Sequence, residues 1–390
     1  MRGNSMKNRF NGLKKAVLWV LSAALCGVLL WFAGGKSADL LSFAAFQSAR
    51  LNLPWHTVEA KAAAAAPKEA ESGNKSVSQS DKDNSAVQKE EASVRTGLAE
   101  TPEDIKTLAQ NAKKASKNEK KDGSISDWTY TNEGVTDSFG AVRVKNTNKT
   151  KIDIEKLLSQ KADLFVDKKK PCVLIFHTHT TETFQLFERS WYPTGNITRS
   201  EQSDRNMVRI GKAICEELEK NGFRTVHDTE IHDRSYSGAY DRSRAAAVGY
   251  LKKDTSIQVV LDIHRDAIQR TDGTKIRPVA EIGGKRAAQV MIISGCQEEG
   301  NGIENFPDWQ QNLVFALQLQ KEMEESFPGL TRPLYFCPRD YNMNLTHCSL
   351  LLEVGSDSNT LEEVEYSGRL IGASLSRLLN NYTEEETKGG

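Results

Sequence analysis

The chain is short of several things, and each shortage narrows the reading. It has no surplus of either charge: Lys plus Arg and Asp plus Glu each number 52, so no net field draws it toward nucleic acid. It has few cysteines, six, and none in the CxxC spacing of a four-cysteine zinc site. Beyond Cys26, the set Cys172, Cys215, Cys296, Cys337 and Cys348 is odd in number and cannot all pair internally. These residues read mainly as small buried apolar side chains, with Cys337 and Cys348 the pair that a single disulfide would take. No internal repeat is visible.

Long apolar runs are also lacking, apart from residues 16–33 (AVLWVLSAALCGVLLWFA), which carry no charge. That length suits a slightly short membrane helix. Arg2, Lys7, Arg9, Lys14 and Lys15 precede it. The positive-inside rule then predicts a cytoplasmic tail at 1–15, a single anchor at 16–34 and everything later outside the cell membrane. A cleaved signal peptide shares the basic start, but its apolar core is typically ~7–15 residues. Residues 35–123 are expected to be a linker: from Ala60 to about Gly123 there are few large apolar side chains, and the stretch includes the polar run Gly73–Glu91. Such a segment reads as a disordered tether, with a short helix predicted at Thr101–Ala115.

Residues 124–170 suggest an N-terminal extension, a small β element followed by a helix at Asp153–Leu164. Residues 171–382 form the expected catalytic domain. Strands are predicted at Cys172–Phe176, Phe223–His227, Ile257–Ile263, Pro278–Ile282, Ala288–Ser294 and Ser349–Val354. Helices are predicted at Asp204–Asn221, Tyr240–Lys253, Trp309–Phe327 and Thr360–Leu379. The alternation implies an α/β fold, a single catalytic domain whose mostly parallel central sheet is flanked by helices.

Three of these strands end in metal-site chemistry. VLIF runs into His177-Thr178-His179-Thr180-Thr181-Glu182, VVLDI into His264-Arg265-Asp266, and LLL into Glu353. Continuous apolar runs read as buried parallel strands, and ligands in open α/β sheets gather at their carboxyl ends. His179, Glu182 and His264 are the predicted Zn²⁺ ligands, with an open fourth position and Glu353 as general base, which is a hydrolase arrangement. An isolated HxxE step or a lone histidine is weak evidence; three acid–histidine strand ends in one domain are much stronger. Two alternatives stay open. His177 is either a ligand in place of His179 or a supporting residue behind it. Asp204 is either an N-cap or the carboxylate ligand in place of Glu182. Arg265 is predicted to grip a substrate carboxylate, and Asp266 to orient a ligand imidazole; the two can equally form an ion pair. His56, His227, His232 and His347 lack such context and default to surface or core. The aromatic loop 184–192 is expected to line a substrate groove, and 265–284 to be a mobile insertion gating it.

The segments VLIFHTHTTETF, RNMVRIGKAICEELEKNGF, VVLDIHRDA and YNMNLTHCSLLLEVGSDSNTLEEV together resemble the stage II sporulation protein P family of endospore-forming Firmicutes. The likeness covers about Pro171–Leu379, with a departure at Asn344-Leu345-Thr346. The resemblance implies a zinc-dependent N-acetylmuramoyl-L-alanine amidase acting on peptidoglycan, with an endopeptidase action on cross-links. It also implies partnership with a lytic transglycosylase and a polytopic membrane protein during forespore engulfment. It maps the family's histidine-rich step to His177, His179 and Glu182, its HRD step to His264, Arg265 and Asp266, and its glutamate to Glu353. The HxxE spacing is similar to that of zinc carboxypeptidases, which favours Glu182 over Asp204. Two other readings use the same residues: a zinc peptidase confined to stem peptides, and a non-catalytic wall-binding module.

Overall fold

The computed structural model describes residues 97–193, 195 and 197–383. The predicted tail, the anchor, the tether up to residue 96, Cys26 and His56 lie outside the described residues. Among the described residues no helix is long and apolar enough to cross a membrane.

In chain order the elements are α1 (Glu103–Ala115), β1 (Lys121–Trp128), β2 (Asp137–Phe139), β3 (Val142–Asn146), α2 (Ile154–Leu158), β4 (Pro171–Phe176), β5 (Trp191–Pro193) and α3 (Met207–Lys220). They continue with β6 (Arg224–His227), α4 (Ala239–Lys253), β7 (Val259–Asp266), β8 (Lys275–Ile282), β9 (Lys285–Ala288), β10 (Val290–Gly295), α5 (Trp309–Ser326), β11 (Leu334–Cys337), β12 (Cys348–Ser356) and α6 (Leu361–Asn380).

The main sheet has eight strands in the order β2-β3-β11-β10-β12-β7-β4-β6. Its site-bearing centre, β12-β7-β4-β6, is parallel throughout. The apolar runs seen in the sequence supply these strands, and β7 is buried along its whole length, as a sheet covered on both faces requires. On one face α4 lies over Leu174, Phe176 and Val260. Elsewhere α6 packs along both α3 and α5. The sheet is mixed rather than uniformly parallel, because β10 runs antiparallel to β12. The link from β11 to β12 carries no helix, so no parallel crossover forms there. A capping box starts α6: the Thr360 side chain accepts from the Glu363 N–H, and Glu363 accepts in return from the Thr360 N–H.

Three expectations are corrected. The tether does not run to residue 123. Ile105 of α1 is buried, Asp104 pairs with Arg209, and the Lys285 ammonium donates to the Ala99 carbonyl at 2.9 Å. The apolar and ionic contacts of α1 are made with distant residues, which composition within the segment does not reveal. Residues 124–170 contribute β3, which pairs with β11 in the main sheet. Residues 275–282 are not a gating insertion. They form the largely buried strand β8, in a second sheet ordered β5-β1-β8-β9. Finally, Cys337 and Cys348 are buried and free. They sit on β11 and β12, with β10 between them. Two strand spacings, about 9–10 Å, exceed the ~7 Å Cα separation a disulfide spans.

If Ile105 anchors α1, Ile105→Ala should weaken its docking by about 2–4 kcal/mol. Trypsin should then cut the lysine-rich stretch 106–121 faster while the thermal midpoint of the remaining domain holds. Cleavage at the wild-type rate would count against the docking.

Candidate active site

Parallel pairing brings the three strand ends to one edge of the sheet. β7 lies between β4 and β12, and His264 pairs directly with Glu353 across β7 and β12. Glu353 is the single position of β12 that is not fully buried, so it reaches toward solvent where its neighbours cannot. β4 ends at Phe176 and the chain turns. This turn is fastened by Asp262, whose carboxylate accepts from the Thr178 N–H at 2.9 Å and the Thr178 hydroxyl at 2.6 Å. Asp262 also lies 2.9 Å from His264 Nε2. One buried carboxylate therefore ties the end of β4 to the imidazole on β7.

His264 is left with Nδ1 facing Glu182, 3.9 Å from Oε2. Glu182 is buried. Its Oε2 accepts from the Arg265 backbone N–H at 3.2 Å, and its Oε1 lies 3.9 Å from the Arg199 guanidinium. The His179 and His264 rings are 5.1 Å apart at 78°. Tyr236 stacks on His179 at 4.9 Å, and Tyr240 meets it edge-on at 5.7 Å. Among the described residues no three His, Cys, Asp or Glu side chains close on a common metal position. His179, Glu182 and His264 nevertheless supply the nitrogen and oxygen donors that zinc takes.

The electrostatics favour a cation here. Burial alone drives the His264 imidazole down. The charge and contact of Asp262, then the charges of Glu182 and Glu353, outweigh it and push the group up to about 9. Burial, then the negative charge of Asp262, holds the Tyr240 hydroxyl well above its usual range, so this tyrosine keeps its proton.

Residues 51–376 match the sequence model of the family described as stage II sporulation protein P. The chain belongs to this family. It is 31% identical over 209 residues to stage II sporulation protein P of Bacillus subtilis (strain 168), covering 50% of this chain and 48% of the relative. The chain thus spans about half the length of the curated relative it matches. Among solved structures, the N-acetylmuramoyl-L-alanine amidase AmiC2 of Nostoc punctiforme overlays with a TM-score of 0.32 at 12% identity, covering 55% of this chain and 97% of that one. The CwlD amidase of Clostridioides difficile, solved in complex with the GerS lipoprotein, overlays with a TM-score of 0.35 at 11% identity, over 54% and 99%.

In this chain His179, Glu182, His264 and Glu353 share one edge of the sheet, and the other predicted site residues do not join them. His177 turns the opposite way. Its Nε2 hydrogen-bonds His227 Nε2 at 2.9 Å and its Nδ1 donates to the Ile263 carbonyl at 3.1 Å. The strand stops before His177, so the alternation that would have set it beside His179 is broken. The two imidazoles fill the space over Gly211 on α3, where a Cβ would come within 2.5 Å of His227 and 2.6 Å of His177. Asp204 pairs with its neighbour Arg205 at 2.9 Å and stays away from the site. The cap of α3 is Asn206, which accepts from the Val208 N–H at 3.0 Å.

Arg265 is turned into the fold, not toward open space. Its buried guanidinium donates to the backbone carbonyls of Thr183, Asp266 and Thr198 at 2.8, 3.1 and 2.7 Å, since a buried cation needs its N–H groups satisfied. Asp266 pairs with Arg332 at 3.0 Å, not with a ligand imidazole. The carboxylate beside the His264 ring is that of Asp262, 2.9 Å from Nε2. Its place within an apolar strand, two residues before His264, was the available signal, because residues i and i+2 share a strand face. Tyr236 and Tyr240 had no local signal.

The buried histidines set opposing pH limits on the metal-free fold. His264, about 9 when folded against ~6.5 unfolded, stabilises fully below the unfolded value, and this contribution is lost as pH climbs through 9. His227 is held down to about 4 by burial; it stabilises above ~6.5 and loses that contribution as pH falls toward 4. Urea midpoints of chelator-treated protein should therefore peak near the unfolded histidine value. His264→Gln should flatten the alkaline limb and His227→Gln the acid limb. An alkaline limb unchanged in His264→Gln would refute the assignment.

Proposed function

We propose that this chain is a peptidoglycan hydrolase that cuts the amide bond between N-acetylmuramic acid and the stem peptide, with an additional action on peptide cross-links. The observation that carries the reading is the meeting of His179, Glu182, His264 and Glu353 at the carboxyl ends of three adjacent parallel strands. His179, Glu182 and His264 would hold a zinc ion, which when bound polarises a carbonyl and acidifies water. Glu353 takes the proton of the attacking water and delivers it to the leaving amine. Asp262 holds the His264 ring through Nε2, and the Arg265 N–H and Arg199 hold the Glu182 carboxylate. Tyr236 and Tyr240 pack the His179 ring in place, so the donors need little rearrangement.

Family membership supports a role in septal wall remodelling and engulfment during sporulation, together with a lytic transglycosylase and a polytopic membrane protein. The uncharged run at 16–33 behind a basic tail supports a single membrane anchor with the catalytic domain outside the cell membrane.

Glu353→Gln should keep zinc at wild-type stoichiometry while release of stem peptides from purified peptidoglycan falls by about 10²–10⁴. Mass spectrometry of the wild-type digest should show whole peptides with a new alanine amine. Undiminished release by the variant would remove Glu353 from the reaction, and shortened peptides alone would mark a peptidase. Asp262→Asn should weaken zinc binding about 10–100-fold in a chelator competition, with far-UV circular dichroism unchanged; wild-type affinity would show that Asp262 only braces the turn.

A further inference from the structure

The first turn of α4 brings Tyr240 against both candidate imidazole ligands. Its ring lies 5.7 Å from His179, edge-on, and 6.3 Å from His264, nearly parallel at 14°. The Tyr240 backbone carbonyl accepts from Asn342 Nδ2 at 3.2 Å and from the Ser243 hydroxyl at 3.1 Å. Among the described residues no hydrogen bond uses its phenolic hydroxyl. Burial aside, the groups that act on that hydroxyl are Asp262, Tyr341 and Glu353, in that order. The residue is partly exposed. Packing against the imidazoles needs only the ring and leaves the hydroxyl without a task.

Two neighbours fix this ring. The Ser243 hydroxyl, nearly one turn further along α4, lies 2.7 Å from that of Thr178. Thr178 in turn donates to Asp262, the carboxylate beside His264. On the other side, Tyr341 stacks on Tyr240 at 5.5 Å and 20°. Tyr341 and Asn342 have φ of +38° and +61°. They form the middle of a turn closed by the Met343 N–H, which donates to the Asp340 carbonyl at 2.6 Å. Asparagine fits such a left-handed position, but a tyrosine there is strained. Strain of this kind persists only where the surroundings over-determine it, and here it sets an aromatic ring flat on Tyr240.

We infer that Tyr240 is a catalytic residue whose hydroxyl donates a hydrogen bond to the carbonyl oxygen of the scissile amide, and that Tyr341 is the positioning residue that holds its ring. The inference rests on the hydrolase reading above. As water adds to the carbonyl carbon, negative charge gathers on that oxygen. The hydroxyl stabilises the charge and keeps its own proton. The proton of the water still passes through Glu353 to the leaving nitrogen as the C–N bond breaks, so the balance is unchanged. A donor already held in place acts without reorganising.

The test uses the zinc-loaded full-length chain and Tyr240→Phe, which keeps the ring and removes only the hydroxyl. For stem-peptide release kcat should fall about 10²–10³-fold, with KM changed by less than about threefold. A phosphinate that replaces the scissile amide of muramoyl-L-alanine should bind the variant about 10²-fold more weakly by calorimetry. Zinc affinity in a chelator competition and the unfolding midpoint should match wild type. Tyr341→Asn keeps the left-handed turn and removes the second ring. It should lower kcat about tenfold and add nothing in the Tyr240→Phe background; additive effects would remove Tyr341 from its positioning role. If wild type releases stem peptides and Tyr240→Phe equals it in kcat and phosphinate binding, the inference is overturned while the hydrolase reading stands. A loss of kcat matched by an equal loss of zinc affinity would mark a packing residue and overturn it too. If Tyr240→Phe weakens phosphinate binding but wild type releases no stem peptide, the donor stands and the hydrolase reading falls. If wild type neither binds the phosphinate nor releases peptide, both fall.

Discussion

The parallel register of β12 on β7, and of β7 on β4, is the constraint on which the rest of this site depends. Side chains along a strand alternate between faces, so a slip of one residue would carry Glu353 away from His264 and bury it among apolar neighbours. The register is defended on both sides. Apolar runs in all three strands must stay between covering helices, and beyond Glu353 the last part of β12 bends at Gly355, φ +66°. A Cβ there would sit 2.7 Å from Asn359 and 2.9 Å from Ala288, so no other residue suits this bend. The irregularity in pairing between Glu353 and Ser356 falls at this point and ends the aligned stretch just past the candidate base.

Register alone would not orient the side chains. A buried carboxylate is unfavourable unless it is hydrogen-bonded or paired, and three acids near the site, Asp262, Glu182 and Asp233, meet that demand by holding something else. Asp262 grips the Thr178 turn and the His264 ring. Glu182 draws on the Arg265 N–H. Asp233 accepts from the Thr181 N–H at 3.0 Å and its hydroxyl at 2.7 Å, and pairs with Arg199. The Thr178 hydroxyl also lies 2.7 Å from the Ser243 hydroxyl on α4, which joins a covering helix to the same network. The residual negative charge around His264 is what makes the spot suited to a cation.

Behind this edge the fold uses the same residue types for packing. His177 and His227 are closed in under α3, and burial holds both imidazoles low. They are neutral spacers whose polar atoms are satisfied by each other and by the Ile263 carbonyl. Histidine identity therefore says little here until the direction of the ring is known.

Much of the fold was legible along the chain, because its signals are local. Continuous apolar runs mark β4, β7 and β12, and helical periodicity marks α3, α5 and α6. The acid–histidine strand ends were visible for the same reason, since the end of a buried strand is where polar chemistry first becomes possible. What the chain could not disclose depends on partners far away in sequence. Arg265 and Asp266 look like site residues beside His264, yet the carbonyls of Thr183 and Thr198 claim one and Arg332 the other. Residues 97–123 look like tether by composition, yet Ile105 and Asp104 find their contacts across the domain. Sequence alone thus determined which strands are buried and which acids and imidazoles end them, because apolar periodicity and side-chain chemistry are properties of neighbouring residues. Only the tertiary structure decided which of those side chains face one another, because turning a chain at a strand end and satisfying a buried charge are settled by whatever packs there.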